Sequence, residues 1–203
     1  MLPSEYPEIA NYPTIKYVFE KQVDMLFNDL RCMLKSPLPG CAAGYNLSIV
    51  TMILNLYTGF SRRLYRPIGV LVDRERFVRM LIDFFPWDNS MPNPEECSKM
   101  LYASVRNPLT HELGIKGNER VNIYKNGRSS DNEIRQLEEN VEKPQWLGQI
   151  IMRTSASNSS TEWHVSVTGL YWATHRLLHN LLADEKNALR AEQKLLRIVG
   201  RIR

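Results

Sequence analysis

The residue types best suited to chemistry stand together in one segment, Tyr102-Ala103-Ser104-Val105-Arg106-Asn107-Pro108-Leu109-Thr110-His111-Glu112-Leu113-Gly114. An arginine, an asparagine and a histidine fall within six residues, around a proline that interrupts a helical pattern. A guanidinium beside a helix N-terminus suits a phosphate, because both offer N–H donors and positive charge. An imidazole titrates closest to neutral pH and is the natural general acid or base. In an uninterrupted helix, positions five apart lie about 140° around the axis, so Arg106 and His111 would not share a face. Pro108 alters this: it removes a backbone donor, crowds the preceding turn and disfavours helical angles at Asn107. The expectation is a kink, with Asn107 as N-cap, Pro108 at the first position of a restarted helix, and Arg106 and Asn107 turned toward the new helix end. The plainer alternative is a capped kink, with Arg106 paired to Glu95 or Glu112 and His111 satisfied by a carbonyl.

The run Arg106-Asn107-Pro108-Leu109-Thr110-His111 resembles the R-x4-6-H motif of HEPN domains, in its R-x4-H form with a polar residue directly after the arginine. The resemblance implies a bundle of four to five helices that pairs as a homodimer and places two copies of the motif across one cleft. It implies a metal-independent endoribonuclease without cofactor, in the manner of a toxin or anti-phage defence component. Its partners would be an RNA substrate and a neutralising antitoxin protein. Carried over by position, Arg106 would stabilise the phosphate and the transition state, and His111 would move the proton as the ribose 2′-OH attacks. Asn107 would orient one of them. The alternative within the same resemblance is a non-catalytic RNA- or nucleotide-binding or interaction module, against which stands the presence of all three residues. The basic C-terminal helix and the segment 115–167 lie outside the family's minimal pattern.

Charge adds a second line. The chain carries +4 overall, but Lys186 to Arg203 holds six basic residues against Glu192 alone, which leaves the other 185 residues near neutral. From Arg62 to Arg79, six arginines face only Asp73 and Glu75. Such patches attract polyanions, although a solvated helix face is the commoner reason for a charge run. Arg62, Arg63 and Arg66 are the candidates for nucleic-acid contact, and they also suit the C-terminal end of a helix.

His175 and His179, four apart, would share a helix face as two metal ligands might, but no third ligand at diagnostic spacing accompanies them, and no metal is assigned. Cys32, Cys41 and Cys97 form no C-x-x-C pair and read as reduced, mostly buried thiols. Glycine-rich phosphate loops, G-x-S-x-G elbows and H-E-x-x-H motifs do not occur. The start, MLPSEYPEIA, does not read as a secretory signal, and no apolar run reaches membrane-spanning length, so a cytoplasmic protein without membrane contact is expected.

The elements that must position these residues read as mainly helical. Apolar residues at three- and four-residue steps predict helices over Thr14 to Leu34, Tyr45 to Tyr65, a third opened by Asp73 as cap and stopped by Pro86, and a fourth from Pro94 to about Gly114. Between the fourth and last helices, 115–167 reads as a small β insert. Val121 to Tyr124, Ile150 to Arg153 and Trp163 to Val167 are its strands, Asn126-Gly127 is a turn, and Ile134 to Val141 is helix-like. Thr168 to Arg201 reads as one long helix, and residues 1–203 as a single HEPN-like domain, mainly α.

Overall fold

Helix α6 (Val167–Ala183) is apolar on nearly every side, and thirteen of its 17 residues are buried. The other elements pack around it: α2 (Asn46–Arg63), α3 (Asp73–Phe84), the short α5 (Asp131–Glu139) and α7 (Glu185–Val199) all touch it. The computed structural model describes residues 7–35, 45–65, 69, 72–108, 120–125, 130–155 and 161–199. The predicted turns Pro37-Pro39-Gly40 and Asn126-Gly127 and the predicted stop at Gly114 lie outside these residues.

The first helix, α1, runs as Pro13–Val18, a π-helical turn Phe19–Val23, and Asp24–Lys35. The wide turn re-aims its apolar stripe. Ile15, Phe19, Val23 and Phe27, at uniform steps of four, are buried, whereas Met25 is 60% exposed. Helix α4 starts at Pro94–Met100, with Asn93 accepting hydrogen bonds from the Glu95 and Glu96 amides at 2.9 and 3.2 Å.

The β insert is a three-stranded sheet in the order β1-β3-β2. Strands β2 (Ile151–Ser155) and β3 (Thr161–Ser166) form an antiparallel pair, and β1 (Arg120–Tyr124) lies parallel to β3, with Val121 opposite Trp163 and Ile123 opposite Val165. A parallel pair needs a crossover, and α5 with the chain after it supplies one. Strand β3 passes directly into α6, where the Ser166 hydroxyl caps the helix by accepting from the Gly169 amide at 3.0 Å. A Cβ at Gly169 would meet the Ile150 side chain at 3.1 Å, so the glycine lets helix and insert approach closely without displacing Ile150.

The predicted single helix over 168–201 is two helices, broken at Asp184. Asp184 is non-helical (φ −74°, ψ 96°), and its carboxylate accepts from the Asn187 amide at 2.8 Å, so it N-caps α7. The Asn187 side-chain amide in turn donates to the Leu181 carbonyl at 3.2 Å, serving the orphaned end of α6. The break lets α7 fold back against α1 and α2.

There, the buried carboxylate of Glu192 accepts from the Thr14 amide at 2.8 Å and the Ile15 amide at 2.9 Å. It thus caps the start of α1 from 177 residues away. Replacing Glu192 by Ala would leave two inaccessible N–H donors, so urea unfolding of Glu192→Ala should report a loss of about 1–3 kcal/mol, with Glu192→Gln losing less.

Candidate functional site

Arg106 is set in place by aromatic packing. Phe77 of α3 lies between Tyr57 of α2, at a ring separation of 6.3 Å, and Tyr102, edge-on at 5.2 Å. The Arg106 guanidinium stands over the outer part of this stack, 5.5 Å from the Tyr102 ring centre. Its Nη1 donates to the Asn107 side-chain oxygen at 2.8 Å.

The backbone that carries them differs from the expected kink. Asn107 keeps helical angles (φ −64°, ψ −50°) and is not an N-cap. The chain instead widens into a π-helical turn over Leu101–Arg106, where the Asn107 amide reaches back five residues to the Tyr102 carbonyl. A proline at 108 has no N–H for the carbonyl of Ser104 and would collide with it in a regular helix. The wider turn removes the collision without breaking the helix. His111 and Glu112 lie outside the described residues, as does Arg66. Glu95, named above as a partner for Arg106, is held by Lys99 at 2.6 Å.

The structure joins Arg106 to residues that the sequence places in a separate patch. Asp73 was expected to cap α3, but Val72 holds that position and Asp73 is the first helical residue. Its carboxylate turns back toward α2: Oδ2 accepts from Arg62 Nη2 at 2.5 Å, and Oδ1 lies 3.7 Å from Arg76 Nη1. The hydrogen bond from Arg62 holds the Asp73 carboxyl below the usual aspartate range, and the nearby charges of Arg76 and Arg106 pull it the same way. Three guanidiniums therefore share the field of one carboxylate. The basic C-terminal region reaches this corner too, since Lys194 Nζ donates to the Arg62 carbonyl at 2.6 Å. Arg63 turns elsewhere, to the rim of an apolar groove of about 290 Å³ between α1 and α2 whose floor includes Phe19, Leu56 and Phe60. Sequence reading missed Asp73, Arg76 and Tyr102 as members of the site; the excess of arginine over 62–79 was the signal available for them.

Of the other singled-out residues, His175 and Cys97 lie in the core. His175 is buried between Phe27 (ring centres 4.3 Å apart) and Tyr171 (5.0 Å), and burial pushes its imidazole down to about 3. Beside it, Arg31 Nε and the Tyr171 hydroxyl both donate to Glu138 Oε1 at 2.5 Å, and Arg176 donates to the Glu138 carbonyl at 2.7 Å. Cys97 is buried, its thiol pushed up to about 12 by desolvation, while Cys32 is exposed rather than buried; Cys41 lies outside the described residues. Among the described residues, no three His, Cys, Asp or Glu side chains are grouped to hold a metal ion, and no helix is long and apolar enough to cross a membrane.

A histidine neutral in the fold and protonated in the unfolded chain makes acid destabilising. The unfolded imidazole takes up a proton near pH 6.5, the buried one only near 3, so stability falls as pH drops between these values, by up to about 1.4 kcal/mol per unit. Urea unfolding at pH 7, 6 and 5 should show this slope in the native protein and a flatter one in His175→Gln. No family model, curated protein or solved structure matches this chain, so its function must be sought in the chemistry of its own side chains.

Proposed function

We propose that this protein is a HEPN-like, metal-independent endoribonuclease that works as a homodimer. The observation that carries the reading is the segment Arg106-Asn107-Pro108-Leu109-Thr110-His111, whose first three residues close the described part of the fourth helix in a mainly helical chain. The Asn107 side chain on the Arg106 guanidinium supports it, because an arginine held by a neighbouring amide loses less side-chain entropy on meeting a phosphate.

In this mechanism His111 accepts the proton of a ribose 2′-OH. The freed oxygen attacks the adjacent phosphorus, and the bond to the 5′-oxygen of the next nucleotide breaks. That leaving oxygen takes up the proton that His111 carries, so the products are a 2′,3′-cyclic phosphate and a 5′-hydroxyl and the imidazole is returned neutral. Arg106 holds the phosphoryl oxygens as negative charge builds on them. Every step uses side chains alone. The role of toxin or defence component, with an antitoxin as partner, follows from the same resemblance.

The test is incubation of purified protein with end-labelled total RNA and transfer RNA in EDTA. The wild type should cleave and leave cyclic phosphate ends. His111→Ala should lower the rate at least 100-fold, in the range by which general acid–base catalysis contributes (about 10²–10⁴). Undiminished cleavage by His111→Ala, its melting temperature unchanged, overturns the assignment. Absent cleavage with salt-sensitive RNA binding retained would make the protein a binding module of the same kind.

A further inference from the structure

Asp73 bridges two of the arginines at this corner. One of its oxygens faces Arg62 and the other faces Arg76. The two non-bridging oxygens of a phosphodiester present the same pair of acceptors, and guanidiniums bind either group through the same N–H geometry. The corner is open to solvent where this matters: the Arg62 and Asp73 side chains are 51% and 44% exposed. Arg76, by contrast, is only 16% exposed, so its guanidinium is aimed by packing rather than by its ion pair alone. Two further features favour an anion here. The N-terminus of the 12-residue helix α3 has no side-chain cap, and Arg106, with Asn107 on its guanidinium, contributes to the same field.

We propose that Asp73 is an internal stand-in for a backbone phosphate: it holds Arg62 and Arg76 in a seat for the RNA phosphate next to the one bound at Arg106, and the RNA displaces it. The proposal rests on the nuclease reading for the identity of the polyanion, and adds Arg76 as a binding residue and Asp73 as a competitor. The Arg62–Asp73 ion pair is exposed and adds little to the fold, so it can yield to a ligand.

The test uses a short fluorescent oligodeoxyribonucleotide, which lacks the 2′-OH and cannot be cleaved by this route. Its affinity is measured by anisotropy over a series of salt concentrations. Arg62→Gln and Arg76→Gln should each weaken binding about three- to tenfold and lower the slope of log affinity against log salt by about 1. Arg76→Lys should restore most of that slope. Asp73→Asn should bind about three- to tenfold more tightly than wild type, since the competing charge is gone. The arginine variants binding within twofold of wild type with unchanged slope, or Asp73→Asn binding more weakly at an unchanged melting temperature, overturns the proposal. Inorganic phosphate and a mononucleotide serve as competitors. If either displaces the oligonucleotide at concentrations near its own, the seat is for a free phosphate and the backbone assignment fails. Because this assay reads binding alone, the predicted pattern in a protein that cleaves no RNA would sink only the nuclease reading. Cleavage with binding unmoved by these variants would sink only this inference.

Discussion

Burying α6 on almost all of its sides is the constraint from which the rest of this architecture follows. A surface helix needs one apolar stripe and one covering layer; a helix with thirteen buried residues needs covers in every direction. The chain meets this demand with α2 and α3 on one side, the β insert and α5 on another, and α7 folded back by the Asp184 break. Most polar groups carried inward then find a partner there. Thr174 bonds the Tyr57 hydroxyl at 3.0 Å, Tyr171 donates to Glu138, and the Trp172 indole donates to the Asn140 carbonyl at 3.1 Å. These bonds are directional, so they fix how α2, α5 and α6 sit on one another as apolar contact alone would not. The buried Arg31–Glu138 pair belongs to this set: it ties α1 to α5 beside α6, and breaking one partner would strand the other's charge.

The candidate site inherits its rigidity from that core. Tyr57 bonds α6 through its hydroxyl and packs on Phe77 through its ring, and Phe77 meets Tyr102, which lies under Arg106. A continuous path of packed rings thus runs from the centre of the protein to the guanidinium. The π-helical turn matters for the same reason. By absorbing Pro108 without a break, it keeps Arg106 and Asn107 on one continuous helix with Tyr102, so all three are positioned by a single element.

Electrostatically, the molecule gathers at one corner what its sequence spreads out. Arg62 lies in the last turn of α2, Asp73 and Arg76 in the first turn of α3, Arg106 near the end of the described part of α4, and Lys194 in α7. The arginine excess over 62–79 supplies part of the charge, and folding adds Arg106 and Lys194 to it. The positive field comes from three helix ends meeting, with the cations at the C-terminal ends of α2 and α4 and the anion at the N-terminal end of α3, the placement that helix dipoles favour. Arg62 and Arg63 show the limit of reading such patches by adjacency. Consecutive residues on a helix point about 100° apart, and here one joins the arginine corner while the other rims an apolar groove.

By itself, the sequence determined the helical class, the approximate spans of the first three helices and the start of the fourth, the three strands, and the closeness of Arg106, Asn107 and His111 along the chain. Each of these is a local property: periodicity of apolar residues, proline and glycine punctuation, or residues adjacent in the chain. What only the tertiary structure decided were features set by contacts distant in sequence or by competition between local rules. The break at Asp184 was hidden because the apolar pattern of Leu181 and Leu182 resumes at Ala188 and Ala191, and only packing against α1 gives the turn its value. Asp73 had the right chemistry for a cap, yet Arg62 outbid the backbone for its carboxylate. The kink expected at Pro108 became a wide turn because the aromatic stack holds Tyr102 and Arg106 on one helix. Parallel pairing of β1 with β3, and the meeting of Arg62, Asp73, Arg76 and Arg106, could not be read from spacing at all, since no local pattern records which helix ends will meet once α6 is buried.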